Sequence, residues 1–305
     1  MMKKILLFLL VSTLSQFIYA QQLLTGSLLT DSITVPQKTK NWKITGDHSL
    51  IVNQSSFSNW IAGGTNSFGG SARIKYSLDY KKGKNIFKNK ITIGYGQVNN
   101  KNDKMRKTDD ILLLESMYGR SISKNWYASV DLSFKTQMFN GYDYTAHPDY
   151  TPQDRISSFM SPGYLTLGVG FEYKPDGNFQ LSLLPITSKN TFVLDKKLQK
   201  KDNYGLKHDG DYMFMELGAM VTGKYKVEIM KNVVWDNVLS LFTNYLSHTE
   251  RVDVNFGSVI DMKVNNHIST KLTFDLIYDH DQIDKVQTRQ TFGIGLSYGF
   301  NSKNK

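Results

Sequence analysis

From Trp42 to Phe300 the chain alternates between apolar and polar residues with a period of two. Near the end, Ile268, Thr270, Leu272, Phe274, Leu276 and Tyr278 fall on one side of an extended chain, and Ser269, Lys271, Thr273 and Asp275 on the other. Phe292, Ile294, Leu296, Tyr298 and Phe300 alternate in the same way with Thr291, Gly293, Gly295, Ser297 and Gly299. Trp126–Lys135 and Ser71–Tyr80 repeat the pattern. Strict alternation gives a β-strand one apolar and one polar face, whereas a helix would scatter the same residues around its axis. About twelve such strands are predicted, the first and the one near Val233–Leu246 being the least regular.

The connections point to one architecture. Lys81–Asn85, Ser121–Asn125, Pro175–Asn178, Met230–Asn232 and Asn265-Asn266 are short and rich in residues that tolerate hairpin-turn dihedrals. Between them come longer connections at Ser55–Asn66, Asn99–Thr108, Asn140–Pro162, Thr187–Gly210, Ser247–Arg251 and Asp279–Gln287. Regular alternation of short and long connections is a property of outer-membrane barrels, with turns on the periplasmic side and loops outside. Trp42, Trp60, Tyr80, Trp126, Phe171, Tyr173, Tyr278 and Phe300 lie near strand ends, where interfacial aromatic girdles form. The expected fold is therefore all-β: an antiparallel up-and-down transmembrane barrel. Beyond the N-terminus no apolar run approaches the ~20 residues of a membrane-spanning helix. A strand barrel needs none, because it satisfies its backbone groups between strands.

The N-terminus bears on compartment. Met1-Met2-Lys3-Lys4 is a cationic start, Ile5–Val11 an apolar run, and Ala20 a small residue suited to cleavage. The expected organisation is a signal peptide over 1–20, a periplasmic segment over 21–41, the barrel over 42–300 and a tail over 301–305. The formal net charge of +10 loses two units with Lys3 and Lys4. The remaining basic residues are interleaved with acids and do not gather on one face, so no nucleic-acid partner is expected. With no cysteine, disulfides cannot contribute. The expected partners are outer-membrane lipid and the outer-membrane assembly machinery. Gly295–Phe300 resembles the last-strand signal read by that machinery, although Ile294 stands where a polar residue is usual.

Phe57, Ser58, Asn59 and Trp60, followed by Gly63, Gly64, Asn66 and Ser67, carry a family resemblance. With the strand Ala72–Tyr80, they resemble a Bacteroidetes outer-membrane family, domain of unknown function 3078, over about Trp42 to Phe300. The resemblance implies an outer-membrane barrel and no reaction, ligand or catalytic residue. Read physically, the Gly pair suits a turn and Trp60 an interfacial anchor.

Candidate chemistry lies on the polar faces and in the loops. Arg73, Lys75, Glu115, Asp131, Lys135, Glu172, Lys224, Lys271 and Asp275 would point into a barrel lumen. His208, Asp209 and Asp211, and separately Asp279, His280 and Asp281, gather donors that a divalent cation accepts. Solvated polar loops are the plainer account of both groups. The run Tyr142–Tyr150 is aromatic-rich and would suit contact with a sugar or a protein. No Gly-x-Ser-x-Gly elbow, His-Glu-x-x-His or phosphate-binding Lys motif is present, no cofactor is expected, and no catalytic residue is assigned. Three functions remain open at this point: a small channel or transport-associated barrel, an interaction barrel with a plugged lumen, and an outer-membrane hydrolase.

Overall fold

The structure is a computed structural model, and it describes residues 41–56, 66–100, 103–145, 149–265 and 267–301. The expected signal peptide, the expected periplasmic segment up to residue 40 and all of Phe57–Gly64 lie outside the described residues.

Twelve antiparallel strands close into a barrel. In chain order they are β1 (Trp42–Ser55), β2 (Ser67–Lys82), β3 (Asn85–Asn100), β4 (Arg106–Ser121), β5 (Trp126–Thr136), β8 (Gly163–Tyr173), β9 (Phe179–Phe192), β10 (Met213–Met230), β11 (Val233–Asn244), β12 (Val252–Lys263), β13 (Ile268–Asp279) and β14 (Ile283–Asn301). Between β5 and β8 a loop forms a separate two-stranded ribbon, β6 (Gly141–Tyr142) against β7 (Arg155–Ser157). Each barrel strand pairs with its neighbour in sequence, and β1 also pairs with β14, with Gly46 opposite Phe300 and Leu50 opposite Leu296. The barrel leaves no sheet edge open, which is the condition for strands to sit in hydrocarbon.

The alternation predicted from sequence places apolar residues outside and polar ones inside. Phe292 is 63% exposed, while Glu172 and Glu216 are each 1% exposed. A water-soluble protein shows the reverse. Toward mid-barrel the outward rows are uncharged, as in Ile74, Tyr76 and Leu78 of β2 or Leu165, Leu167, Val169 and Phe171 of β8. Nearer the long loops, Asp110 on the outward row of β4 pairs with Lys107 and accepts from the Met138 and Phe139 amides. Aromatic residues cluster at the short-turn end. Trp42 packs on Tyr80 with ring centroids 5.0 Å apart, and Trp126 on Tyr173 at 4.9 Å.

Short turns use the residues expected of them. Gly83 and Asn232 take positive φ of 58° and 66°, and Asp176 Oδ1 accepts from the amides of Asn178 and Phe179. The long side departs from sequence expectation in two places. The connection expected over Asp279–Gln287 shrinks to three residues, because β14 already begins at Ile283. The loop expected from Thr187 begins only after Phe192, since β9 continues beyond an irregularity at Pro185. No helix among the described residues is long and apolar enough to cross a membrane.

Candidate functional site: the charged lumen

Alternate residues of every barrel strand converge on the interior, where most of the charged ones meet as ion pairs. The nine sequence-predicted lumen charges all lie on inward rows. Arg73 of β2 pairs with Asp109 of β4, whose other oxygen lies 3.0 Å from Arg289 of β14; Arg289 in turn lies 2.8 Å from Asp275 of β13. Glu115 joins Lys90 at 3.2 Å and Lys224 of β10 at 3.3 Å, a bridge across the bore. Lys271 reaches Asp261 at 3.5 Å and Asp47 of β1 at 3.7 Å. Lys75 sits opposite Asp47 in the β1–β2 register and near Arg73, Lys90 and Lys271. Lys135 lies near Arg289 and Asp275. Glu172 pairs with Lys174 and accepts from Gln180 and Ser182, and Ser182 also reaches Asp131 at 3.4 Å. Charges taken this far from bulk water persist best when paired and hydrogen-bonded, and most of these meet that condition. Lys75 and Lys135 have like and opposite charges nearby but no direct partner among the described residues.

The strongest concentration contains one sequence candidate, Asp279, which was expected in a loop as a metal ligand. Lys189 of β9 lies 2.6 Å from Asp253, 3.1 Å from Glu216 and 3.2 Å from Asp279, with its ammonium 5.2 Å from the Phe242 ring centre. Asp109, Lys90 and Arg289 were missed as well. Period-two counting from Asp275 would have found Asp279, and counting from Thr291 would have found Arg289. Both fell in a stretch too polar to read as strand.

A cavity of about 590 Å³ occupies the interior. Its lining begins with Asp79 and Lys88 near the short-turn end, passes Glu115, Asp131 and Lys224, and ends with Asp253, Asp279 and Gln282 at the long-loop end.

Two loops meet at that long-loop end. In the β9–β10 connection Val193, Leu198 and Leu206 form a buried cluster with Tyr204 and Phe214 packed on it. Phe214 lies on the inward row of β10, so this loop is anchored on the lumen side. It is tied to the β5–β8 loop by Arg155–Asp195 at 2.6 Å, by Ser158 donating to Asp195, by the Asp195 amide donating to Ser161 Oγ and by the Tyr204 hydroxyl donating to the Ile156 carbonyl at 2.7 Å. Partial burial favours the neutral acid at Asp195, but the bond from Arg155 outweighs it and holds the carboxyl below the ordinary aspartate range. Burial pushes the Tyr204 phenol up to about 12.

The loop candidates are placed as follows. His208 Nδ1 lies 3.3 Å from Asp211, and Asp209 accepts from the Lys201 amide, which holds its carboxyl below the ordinary range. Asp279 turns into the lumen toward Lys189 and away from the expected loop trio with His280 and Asp281, because it is the last inward residue of β13. Among the described residues no group of three or more His, Asp and Glu side chains is arranged to hold a metal ion. Tyr142 stacks on Tyr150 at 4.6 Å, and the Tyr150 hydroxyl donates to the Met105 carbonyl, so these rings largely satisfy one another. Of the family motif, Asn66 immediately precedes β2 and Ser67 begins it.

Similarity to known proteins was found in structures and in a family model. The translocator domain of the autotransporter NalP from Neisseria meningitidis is 10% identical, with 87% of this chain and 90% of that one covered and a TM-score of 0.37. The NanC porin is 10% identical, with 83% and 98% covered and a TM-score of 0.40. OprB from Pseudomonas putida is 9% identical, with 86% and 94% covered and a TM-score of 0.33. No curated protein matches the chain. Residues 52–142, a shorter span than the resemblance over Trp42 to Phe300 implies, match the model of a family described as protein of unknown function, DUF3078.

Proposed function

We propose that the protein spans the outer membrane of a Gram-negative cell and that its lumen passes small hydrophilic solutes. Outward rows that are uncharged toward mid-barrel, the aromatic cluster at the short-turn end and the sequence features of export support the membrane placement. The Bacteroidetes resemblance belongs to the same reading.

The channel reading is carried by the cavity lined from one end of the barrel to the other. At about 590 Å³ it has room for water, ions and small polar molecules. Folded protein would not pass. The interior is neither an apolar core nor a bare wide tube. It is a narrow polar bore crossed by side-chain bridges that can shift as solutes pass.

The test is conductance of the purified mature protein in a planar bilayer. Discrete steps are expected. A silent membrane that contains folded, heat-modifiable protein would overturn the reading. It would favour an interaction barrel, for which the loop-to-loop ties around Asp195 are the specific support.

A further inference from the structure

The charge preference of the lumen can be read from the residues around Lys189, provided that the lumen conducts as proposed above. The other cross-lumen groups are balanced or carry an excess of cations: Arg73 and Arg289 meet Asp109 and Asp275, while Lys90 and Lys224 share the single Glu115. At Lys189 the balance fails. One ammonium faces Asp253, Glu216 and Asp279 within 3.2 Å, so the group carries two formal negative charges in excess. The Phe242 ring presents its negative face to the same place.

Position makes this imbalance matter. Lys189 lies near the end of β9, Glu216 near the start of β10, Asp253 near the start of β12, and Asp279 at the end of β13, all beside the long loops. Lys189, Asp253, Asp279 and Phe242 line the cavity. An entering solute therefore meets an acidic ring before it reaches the mixed-charge interior.

We propose that this ring makes the bore prefer small cations and that Lys189, a tethered counter-ion, sets how strong the preference is. Three unneutralised carboxylates would hold a cation too firmly for passage. One resident ammonium leaves enough negative charge to draw a cation in and little enough to release it. Lys189 is thus the specificity-determining residue, and Asp253, with its carboxylate more open than that of Glu216 or Asp279, is the first acid an arriving cation meets.

The experiment is the reversal potential of the full mature protein in a planar bilayer under a potassium chloride gradient. The wild-type protein is expected to favour potassium over chloride. Lys189→Met should raise the permeability ratio roughly fivefold, the scale of one unit charge a few ångströms away in water. Asp253→Asn with Asp279→Asn should bring the ratio close to one, and Lys189→Arg should leave it near wild type. If Lys189→Met does not assemble, Asp253→Asn alone decides, with an expected fall in the ratio. A conducting wild type that prefers chloride, or conducting variants with unchanged ratios, would overturn this inference and leave the channel standing. Absence of conductance in the wild type would overturn the channel itself and the inference with it.

Discussion

The Phe300 ring fills the space that a side chain on Gly46 would need: a Cβ there would lie 2.3 Å from Phe300 Cε1. The two residues face each other across the β1–β14 seam. Tyr76 and His48 flank the ring with centroids 5.9 and 6.4 Å away, and His48 Nε2 lies 3.0 Å from the Tyr76 hydroxyl. The last aromatic of the chain thus seats in a notch of the first strand, and the seam closes where β1 has no side chain.

Gly46→Val is therefore expected to hinder closure, at the ~1–3 kcal/mol typical of overpacking. Gly223→Ala is the control, since nothing lies within 4 Å of the added Cβ. The fraction of protein with barrel-like mobility on an unboiled gel should fall for the first variant and hold for the second. Equal fractions would show that the notch is dispensable.

The loop ties should respond to pH with a definite sign. The folded-state pKa of Asp195 is depressed, so its contribution is present above the unfolded aspartate value of ~3.9 and is lost as pH falls through the lower folded value. Hydrogen exchange in 193–212, corrected for intrinsic rate, should stay slow from neutral pH down to about 4 and accelerate only below it. Asp195→Asn should speed exchange at pH values above about 4, by the several-fold that ~1 kcal/mol allows for an ion pair at a protein surface, and should converge with the wild type as Asp195 protonates. Acceleration of the wild type already at pH 5 would show that the ties around Asp195 do not hold the loop.

What was legible in the sequence follows from what the bilayer demands. Where both faces of a strand have fixed environments, as in β13 from Ile268 to Tyr278, alternation is strict and gives strand, face and register together. Where strands rise beyond the apolar band, both faces meet water and alternation disappears. That is why Ile283–Gln287 read as loop and Arg289 was missed. Pro185 explains the loss of Lys189. The register with β8 slips between Val169 and Phe171, and Pro185 lies against Gly170, so the inward parity changes from Leu184 to Thr187. A residue without an amide hydrogen suits such a bulge, and it breaks the count. The Arg155–Asp195 tie depends on side chains 40 positions apart in two irregular loops, which no periodicity encodes.

Export predicts a mature protein beginning at Gln21. N-terminal sequencing of the membrane-fraction protein checks this, and a retained Lys3-Lys4 segment would contradict it.

The sharpest prediction rests on neighbouring residues of β13. Phe274 lies on the outward row and packs on Phe256 of β12 with ring centroids 6.3 Å apart; Thr273 lies on the inward row, opposite Val259 and Thr291. An arginine on the lipid face near mid-bilayer costs ~2–4 kcal/mol, whereas one in a wet lumen keeps its hydration. Asp275 is the poorer comparison, because Asp275→Arg would also remove the partner of Arg289 and place like charges together. Phe274→Arg should therefore depress folding yield into liposomes strongly, while Thr273→Arg leaves it near wild type. Strand geometry alone creates so large a difference between adjacent positions, since each step along the chain reverses the face. Similar yields from the two variants, or the opposite order, would mean that this strand does not face lipid as assigned.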